Sequence, residues 1–392
     1  MTDGDRPQRS ALLIAVLFAA GACSSLPAFP PPVPPPAVDV EPVGIAYPVG
    51  GTFLSEPEPA VEDPRDTIFH SPLLGNPEFW AEVETYIDFW KGPASEWFPR
   101  CIEGFQWFGA MVDSALVANG LPRSLRYLPV LESCYLPDAV SPASAVGLWQ
   151  FMEPTARALG LEVNRLVDER RDPYAATHAA MRFLSDLHRR FDSWALALAA
   201  YNGGPTRVAR LLRTHAPLHP RSDELYWVIR PHLPRETRSF VAKFYSGMIV
   251  AGSPTSHGYQ RTGNGRFEFD EVEVPDATSF DVIARAAGTT EEEIARLNPK
   301  YVRDVTPPRR NSSVRVPKGS GADFREAYRA IPPEERVTFT EHEIRPGDTL
   351  SEIAEKYGVS VTDLQDANPG IRARYLRVGA RLVVPVVSGR KR

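Results

Sequence analysis

The stretch LPVLESCYLPDAVSPASAVGLWQFM, residues 128–152, decides how the centre of this chain is read. One acid, Glu132, closes an apolar run. A polar loop of small residues follows, and then the dense run Gly147-Leu148-Trp149-Gln150-Phe151-Met152. Upstream, Phe105, Phe108, Val112 and Ala115 keep the three-four spacing of one helix face, and Leu125, Leu128 and Leu131 resume it after a turn at 119–122. The spacing predicts an antiparallel helical hairpin, with Pro129, which has no amide donor, kinking the second helix just before Glu132. Its outer ends would bring Cys101 and Cys134 toward each other, so the two are open to a disulfide or to burial as separate small hydrophobes. Downstream, Asp172-Pro173 reads as the cap and first-turn proline of a helix. SWALALAAYNGG reads as a helix apolar on every face, stopped by Gly203-Gly204 and therefore central in an α bundle.

With 392 residues, 43% hydrophobic and 24% charged, the chain can bury a sizeable core and divides into two or three units. A net charge of −5, with acids and bases mixed along the chain, leaves no basic stripe to neutralise phosphates and argues against a nucleic-acid partner. Residues 1–22 read as a signal peptide: Arg6 and Arg9 precede an apolar run at 11–20, too short to span a bilayer, which ends in Ala20-Gly21-Ala22. Residues 20–23, AGAC, resemble a bacterial lipoprotein box with Ala20 where leucine is usual, which implies a lipid on Cys23 and a membrane anchor. A plain secretory signal cut near Ala22 is the alternative. Residues 23–66 are proline-rich and predict an extended tether. The eight histidines are scattered without ligand spacing, so neither a metal nor another cofactor is implied.

The C-terminal third repeats itself. LSEIAEKYGVSVTDLQDANP, starting at Leu350, aligns without gaps with FDVIARAAGTTEEEIARLNP, starting at Phe280, so that Gly358 matches Gly288 and Asn368-Pro369 matches Asn298-Pro299. In each copy the first helix ends at the glycine, and the second opens with Ser360 or Thr290 followed three residues later by Asp363 or Glu293, a capping-box arrangement. Short apolar strands flank both, giving a βααβ unit twice. This unit resembles the LysM domain, which implies binding to N-acetylglucosamine polymers. The second copy carries the opening motif RPGDTLSEIAEKYGVS; the first has PDATSFDVIARAAGTT, lacks Gly-Asp-Thr-Leu, and can serve as a structural spacer instead.

Taken in order and spacing, Glu132-Ser133, GLWQFM at 147–152 and AAYNGG at 199–204 resemble the lytic transglycosylases of goose-lysozyme-like fold, over roughly residues 67–386. The resemblance implies a mostly α protein: a lysozyme-like catalytic domain over 67–255, a degenerate LysM-like unit over 266–320 and a LysM domain over 338–386. It implies Glu132 as catalytic acid and then base, with Ser133, Gln150, Met152, Tyr201, Asn202 and Glu236 on the substrate side. Met152 would pack beneath the glutamate or the sugar. Glu236 would meet a peptide stem or hold the fold, against its plain reading as a charge at a helix N-terminus. Three positions depart from the family: Ser144 stands where glycine is usual, Cys134 stands where a small residue is common, and Phe240 replaces a tyrosine, removing a hydroxyl near the carboxylate.

Chemistry narrows the reading. A glutamate beside Leu128 and Leu131 can have its pKa raised until it holds a transferable proton near neutrality. A hydrolase of the common kind needs a second carboxylate. Asp138 reads as a turn residue, Glu153 precedes Pro154, and Asp168 falls in the charged segment DERRD, read as solvated surface. A one-carboxylate site suits a lytic transglycosylase, in which the muramic acid C6 hydroxyl attacks C1 and leaves a 1,6-anhydro end. The expectation is therefore an exported enzyme acting on peptidoglycan glycan strands on the periplasmic side of the envelope, lipid-anchored to the outer membrane. A hydrolytic muramidase and a non-catalytic peptidoglycan-binding protein are the competing readings.

Overall fold

Helix starts follow local chemistry. In α1 (Pro77–Lys91), the Asn76 side chain accepts the amides of Glu78 and Phe79 and a proline fills the first turn. Helix α2 (Phe98–Ala118) buries Phe105, Phe108 and Val112, the face its spacing marked out. The expected kink at Pro129 does not occur. Arg123–Tyr127 form a 3-10 turn, α3 (Leu128–Ser133) begins after it, and Pro129 sits in the first helical turn, where an amide donor would have had no partner. After α4 (Glu153–Ala158), Asp172 caps α5 (Pro173–Phe191) and Ser193 caps α6 (Trp194–Gly203). Every α6 residue from Trp194 to Ala200 is buried, and α6 packs against α5, α7 (Pro205–His215), α8 (Glu224–Ile229) and α9 (Arg235–Gly252). The computed structural model describes residues 66–260, 267–308, 310–336, 339–368, 371 and 376–385; the expected signal peptide, Cys23 and the proline-rich tether up to residue 65 lie outside them. Among the described residues, no helix is long and apolar enough to cross a membrane.

Two small units follow. In the first, β1 (Phe269–Val274) pairs antiparallel with β2 (Ser312–Pro317), enclosing α10 (Phe280–Ala287) and α11 (Glu291–Leu297) in sequence. Helices α12 (Gly321–Ala330) and α13 (Pro333–Arg336) come next, and α12 packs on α10, outside the expected boundary at 320. In the second unit β3 (Phe339–Glu343) pairs with β4 (Arg381–Pro385) around α14 (Leu350–Tyr357) and α15 (Val361–Asp366). The repeated asparagine explains itself here. Buried Asn298 accepts the Arg315 amide at 2.8 Å and donates to the carbonyls of Ile294 and Arg315, tying the end of α11 to β2. Asn368 does the same with Val383 and Leu364. The capping boxes differ: Ser360 and Asp363 bond reciprocally, whereas Thr290 accepts the Glu293 amide while the Glu293 carboxylate turns to Arg296.

The first unit is docked on the helical domain. Arg315 pairs with Asp172 at 2.9 Å and lies over the rings of Tyr174, Phe267 and Phe269, while Arg296 covers Trp107 on α2. Asp172 is 2% exposed. Burial is the largest influence on it and would raise its pKa, but Arg315, Lys300 and the Ala175 amide together bring it down to about 2.

Beyond α3 the chain reverses through two consecutive left-handed residues, Cys134 (φ 53°) and Tyr135 (φ 60°). The reversal is held from α2. Cys134 is disulfide-bonded to Cys101, and a Cβ on Gly104 would stand 2.2 Å from the Cys134 carbonyl oxygen, so only glycine admits this approach. A cross-link over 33 residues removes enough unfolded-chain freedom to contribute about 3–4 kcal/mol in the chain-entropy account. The double substitution Cys101→Ser with Cys134→Ser is expected to lower the urea unfolding free energy by about that amount, measured by circular dichroism; an unchanged midpoint would mean that the Gly104 contact holds the reversal unaided.

Candidate active site

Glu132 occupies the next-to-last position of α3 and is only partly exposed. Desolvation pushes its carboxyl up to about 8, and the negative charge of Glu236 adds to the rise. The Tyr201 phenol is raised well above its usual range by burial and then by the Glu132 charge. Carboxyl and phenol therefore both keep their protons at neutral pH.

The groups around Glu132 are fastened mainly through the backbone of the Gly-Leu-Trp-Gln run. The Ser133 hydroxyl donates to the Leu148 carbonyl at 2.9 Å, the Tyr201 hydroxyl to the Trp149 carbonyl at 2.5 Å, and the Trp149 indole to Thr177 at 3.0 Å. Val146 and Phe151 exchange amide-to-carbonyl bonds at 3.1 and 3.2 Å, closing a tight hairpin with Gln150 at its turn. Gln150 has φ 47°, and its side-chain amide donates to the carbonyls of Gly147 at 3.0 Å and Ala139 at 3.3 Å. Gly147 is required: φ is +82°, and a Cβ would stand 1.8 Å from the Arg170 carbonyl oxygen. Ser144, where the resembled family carries glycine, has φ 66°, which accounts for that preference.

The residues singled out in the sequence come from four separate segments. Asn202, at the end of α6, donates to Glu236 at 3.1 Å and accepts from Thr237 at 2.8 Å, which joins α6 to the first turn of α9. Glu236 is thus both a charge at a helix N-terminus and the partner of Asn202. Met152 is 43% exposed. Phe240 is buried in α9. Asp168 overturns its reading as solvated surface. It is 7% exposed and grips Arg170 through both oxygens, at 2.9 and 2.8 Å, because the first LysM-type unit covers this segment. Arg170, Thr177 and Thr237 were not anticipated; each acts on a partner distant in sequence, and only the alternation Asp168-Glu169-Arg170 hinted at the first. Of the other acids, Asp138 is exposed, and Glu153 pairs with Arg157 at 2.9 Å on the surface.

Comparison with known proteins bears on this arrangement directly. Residues 113–220 match the transglycosylase SLT domain, residues 268–333 the LysM-like domain of lytic transglycosylase MltD, and residues 342–385 the LysM domain. The chain carries an SLT domain followed by LysM-like units. It is homologous to membrane-bound lytic murein transglycosylase D of Escherichia coli, with 29% identity over 288 residues, covering 70% of this chain and 62% of that one. The chain thus spans less than two thirds of that relative. The peptidoglycan transglycosylase of Escherichia phage T7 is 36% identical over 104 residues, 26% of this chain and 8% of the phage protein. Among solved structures, an inactive mutant of lytic transglycosylase Slt from Pseudomonas aeruginosa aligns with a TM-score of 0.31 at 25% identity, covering 39% of this chain and 25% of that one. Within the SLT match lie Glu132, Gln150, Met152, Tyr201 and Asn202; Glu236 falls beyond it.

A raised carboxyl is a stability statement whose sign is fixed. Between about pH 4.5 and 8 the unfolded chain has lost the Glu132 proton while the folded chain keeps it, so stability falls as pH rises through this window. Glu132→Gln removes the penalty. The variant is expected to melt above the wild type at pH 8 and to coincide with it near pH 4; equal melting temperatures at both pH values would refute the shift.

Proposed function

We propose that this chain is an exported peptidoglycan lytic transglycosylase that cleaves the β-1,4 bond between N-acetylmuramic acid and N-acetylglucosamine without water, leaving 1,6-anhydro ends. The observation that carries the reading is the Glu132 carboxyl, still protonated at neutral pH and in electrostatic reach of Tyr201 and Glu236, while Glu153 and Asp168 are committed to arginines. Residues 67–255 would form the catalytic part, and the LysM domain at 338–386 would hold glycan strands.

In this reading Glu132 protonates the bridging oxygen as the C1–O bond breaks. Its carboxylate then takes the proton from the muramic acid C6 hydroxyl, whose oxygen bonds to C1. Glu132 ends protonated as it began, the leaving N-acetylglucosamine keeps the first proton as its 4-hydroxyl, the C6 oxygen gives up its own to the carboxylate, and no water is consumed. Gln150, Met152, Tyr201, Asn202 and Glu236 line the sugar path, and Ser133 acts through the Leu148 carbonyl it holds. Lipidation of Cys23 would keep the enzyme on the periplasmic face of the outer membrane, and Cys23→Ser would move it to the soluble fraction. Glu132→Gln is expected to bind peptidoglycan but cleave it at least about 100-fold more slowly, since the amide keeps the size and loses the proton.

One observation favours the second reading, hydrolysis: among the described residues Glu236 is the acid whose charge acts on Glu132. Mass spectrometry of digests separates the two. Transglycosylation yields muropeptides one water lighter than reducing ends and unchanged by borohydride, whereas mainly reducible ends would refute it. Glu236→Gln adds a check. Under transglycosylation it weakens turnover without abolishing it and moves the alkaline limb of the pH profile to lower pH, because removing a negative charge lowers the Glu132 pKa. Under hydrolysis with Glu236 as base, it abolishes turnover.

A further inference from the structure

The first LysM-like unit is bound to the helical domain at a place that matters for the hairpin bearing Gln150. Its α11–β2 connection forms an isolated antiparallel bridge, Tyr301 with Val167. The Asp168 amide donates to the Lys300 carbonyl at 2.8 Å, and the Val302 amide to the Leu166 carbonyl at 3.1 Å. Leu166 and Val167 belong to the apolar core of this unit, packed with Phe280, Tyr301 and Val305, and not to the core of the helical domain. The two residues just before the charged segment 168–172 are thus an edge of the unit's own core.

From that segment the hold passes to the hairpin through two residues. Asp168 fixes the Arg170 guanidinium in a fork, which leaves the other end nitrogen to donate to the carbonyls of Ser144 and Phe151, each at 3.2 Å. These two carbonyls flank the hairpin on either side of Gln150. The Arg170 backbone oxygen closes against Gly147, as the 1.8 Å approach of a Cβ there records. Arg170 is 7% exposed, so its guanidinium has few ways to relax. The two repeats differ at the register position that matters. In each, the helix-ending asparagine staples one strand residue; that residue is Val383 in the second unit and Arg315, reaching Asp172 of the helical domain, in the first.

We propose that the first LysM-like unit is a positioning element of the catalytic site, with Val302 and Lys300 holding segment 166–168 and Arg170 transmitting that hold to the Gln150 hairpin. The proposal rests on the transglycosylase reading for its catalytic consequence, but the coupling itself is independent of it. Displacement of a substrate-orienting group by about 1 Å is enough to cost about 100-fold in rate, and Arg170 is the side chain that ties the Ser144 and Phe151 carbonyls to the segment held by the first LysM-like unit.

The test uses the full chain. Val302→Pro removes the amide that bonds Leu166 on the unit's side; Arg170→Lys keeps the charge and loses the fork on the other. Arg285→Ala, which breaks an exposed ion pair with Glu335 within the same unit, is the control. Hydrogen exchange of peptides spanning 144–151, without substrate, is expected to accelerate about tenfold in both variants and not in the control. On soluble peptidoglycan glycans, well below each melting temperature, kcat is expected to fall about tenfold or more with KM changed less than about threefold. A merely structural role would lower the melting temperature and leave kcat in place. Unchanged exchange in Val302→Pro overturns the coupling, and a loosened hairpin with unchanged kcat overturns its catalytic role. A wild type that cleaves no glycan refutes the activity reading instead, and the exchange result then decides the coupling by itself.

Discussion

A carboxyl that must stay protonated at neutral pH has to be kept out of water, and here that is achieved by stopping a six-residue helix one residue after it. The stop requires Cys134 and Tyr135 to adopt left-handed conformations, which cost about 1–2 kcal/mol each for residues with a Cβ. The compensation comes from outside the helix. The disulfide to Cys101, the close approach allowed by Gly104 and the buried Tyr135 ring, whose hydroxyl donates to the Arg126 carbonyl, all fix the reversal against α2 and the preceding turn. Without that reversal α3 would run on, Ser133 would lose Leu148, and the raised carboxyl would have no fixed surroundings.

Most side-chain donors around the Gly-Leu-Trp-Gln run point at backbone carbonyls. Ser133, Tyr201 and Arg170 together take the carbonyls of Leu148, Trp149, Ser144 and Phe151. Such a hairpin is braced before any ligand arrives, an arrangement that under the proposed activity would let binding energy act on the reacting bond and not on ordering the protein. The raised pKa of Glu132 is the counterpart of this rigidity: the fold tolerates a group that would be more stable ionised in water.

Duplicated units can carry one fold and serve different ends. Both βααβ units use a buried asparagine to tie the second helix to the last strand, an arrangement that satisfies three backbone groups with one side chain. The strand residue so tied is apolar in one unit and an arginine in the other, and that arginine is one of the groups that hold the first unit against the helical domain.

Much was legible from sequence because it depends on neighbours in the chain. Helix α6, apolar on every face and closed by Gly203-Gly204, had to be central; Asp172-Pro173 had to start a helix; the matched Asn298 and Asn368 had to mean the same thing in each copy. The carboxyl next to Leu131, the Gly-Leu-Trp-Gln run and the Ala-Tyr-Asn run could be named before any coordinates, since their order and spacing are local patterns. What the sequence could not decide was set by contacts between distant segments. Pro129 starts a helix instead of kinking one, because the preceding turn tightens to 3-10 geometry. Asp168, Arg170 and Asp172 are buried although their segment is among the most charged in the chain, because Lys300, Tyr301 and Arg315 arrive from more than a hundred residues away to cover and pair them. Charge predicts exposure only for a segment whose partners are water, and tertiary packing alone determines which segments those are.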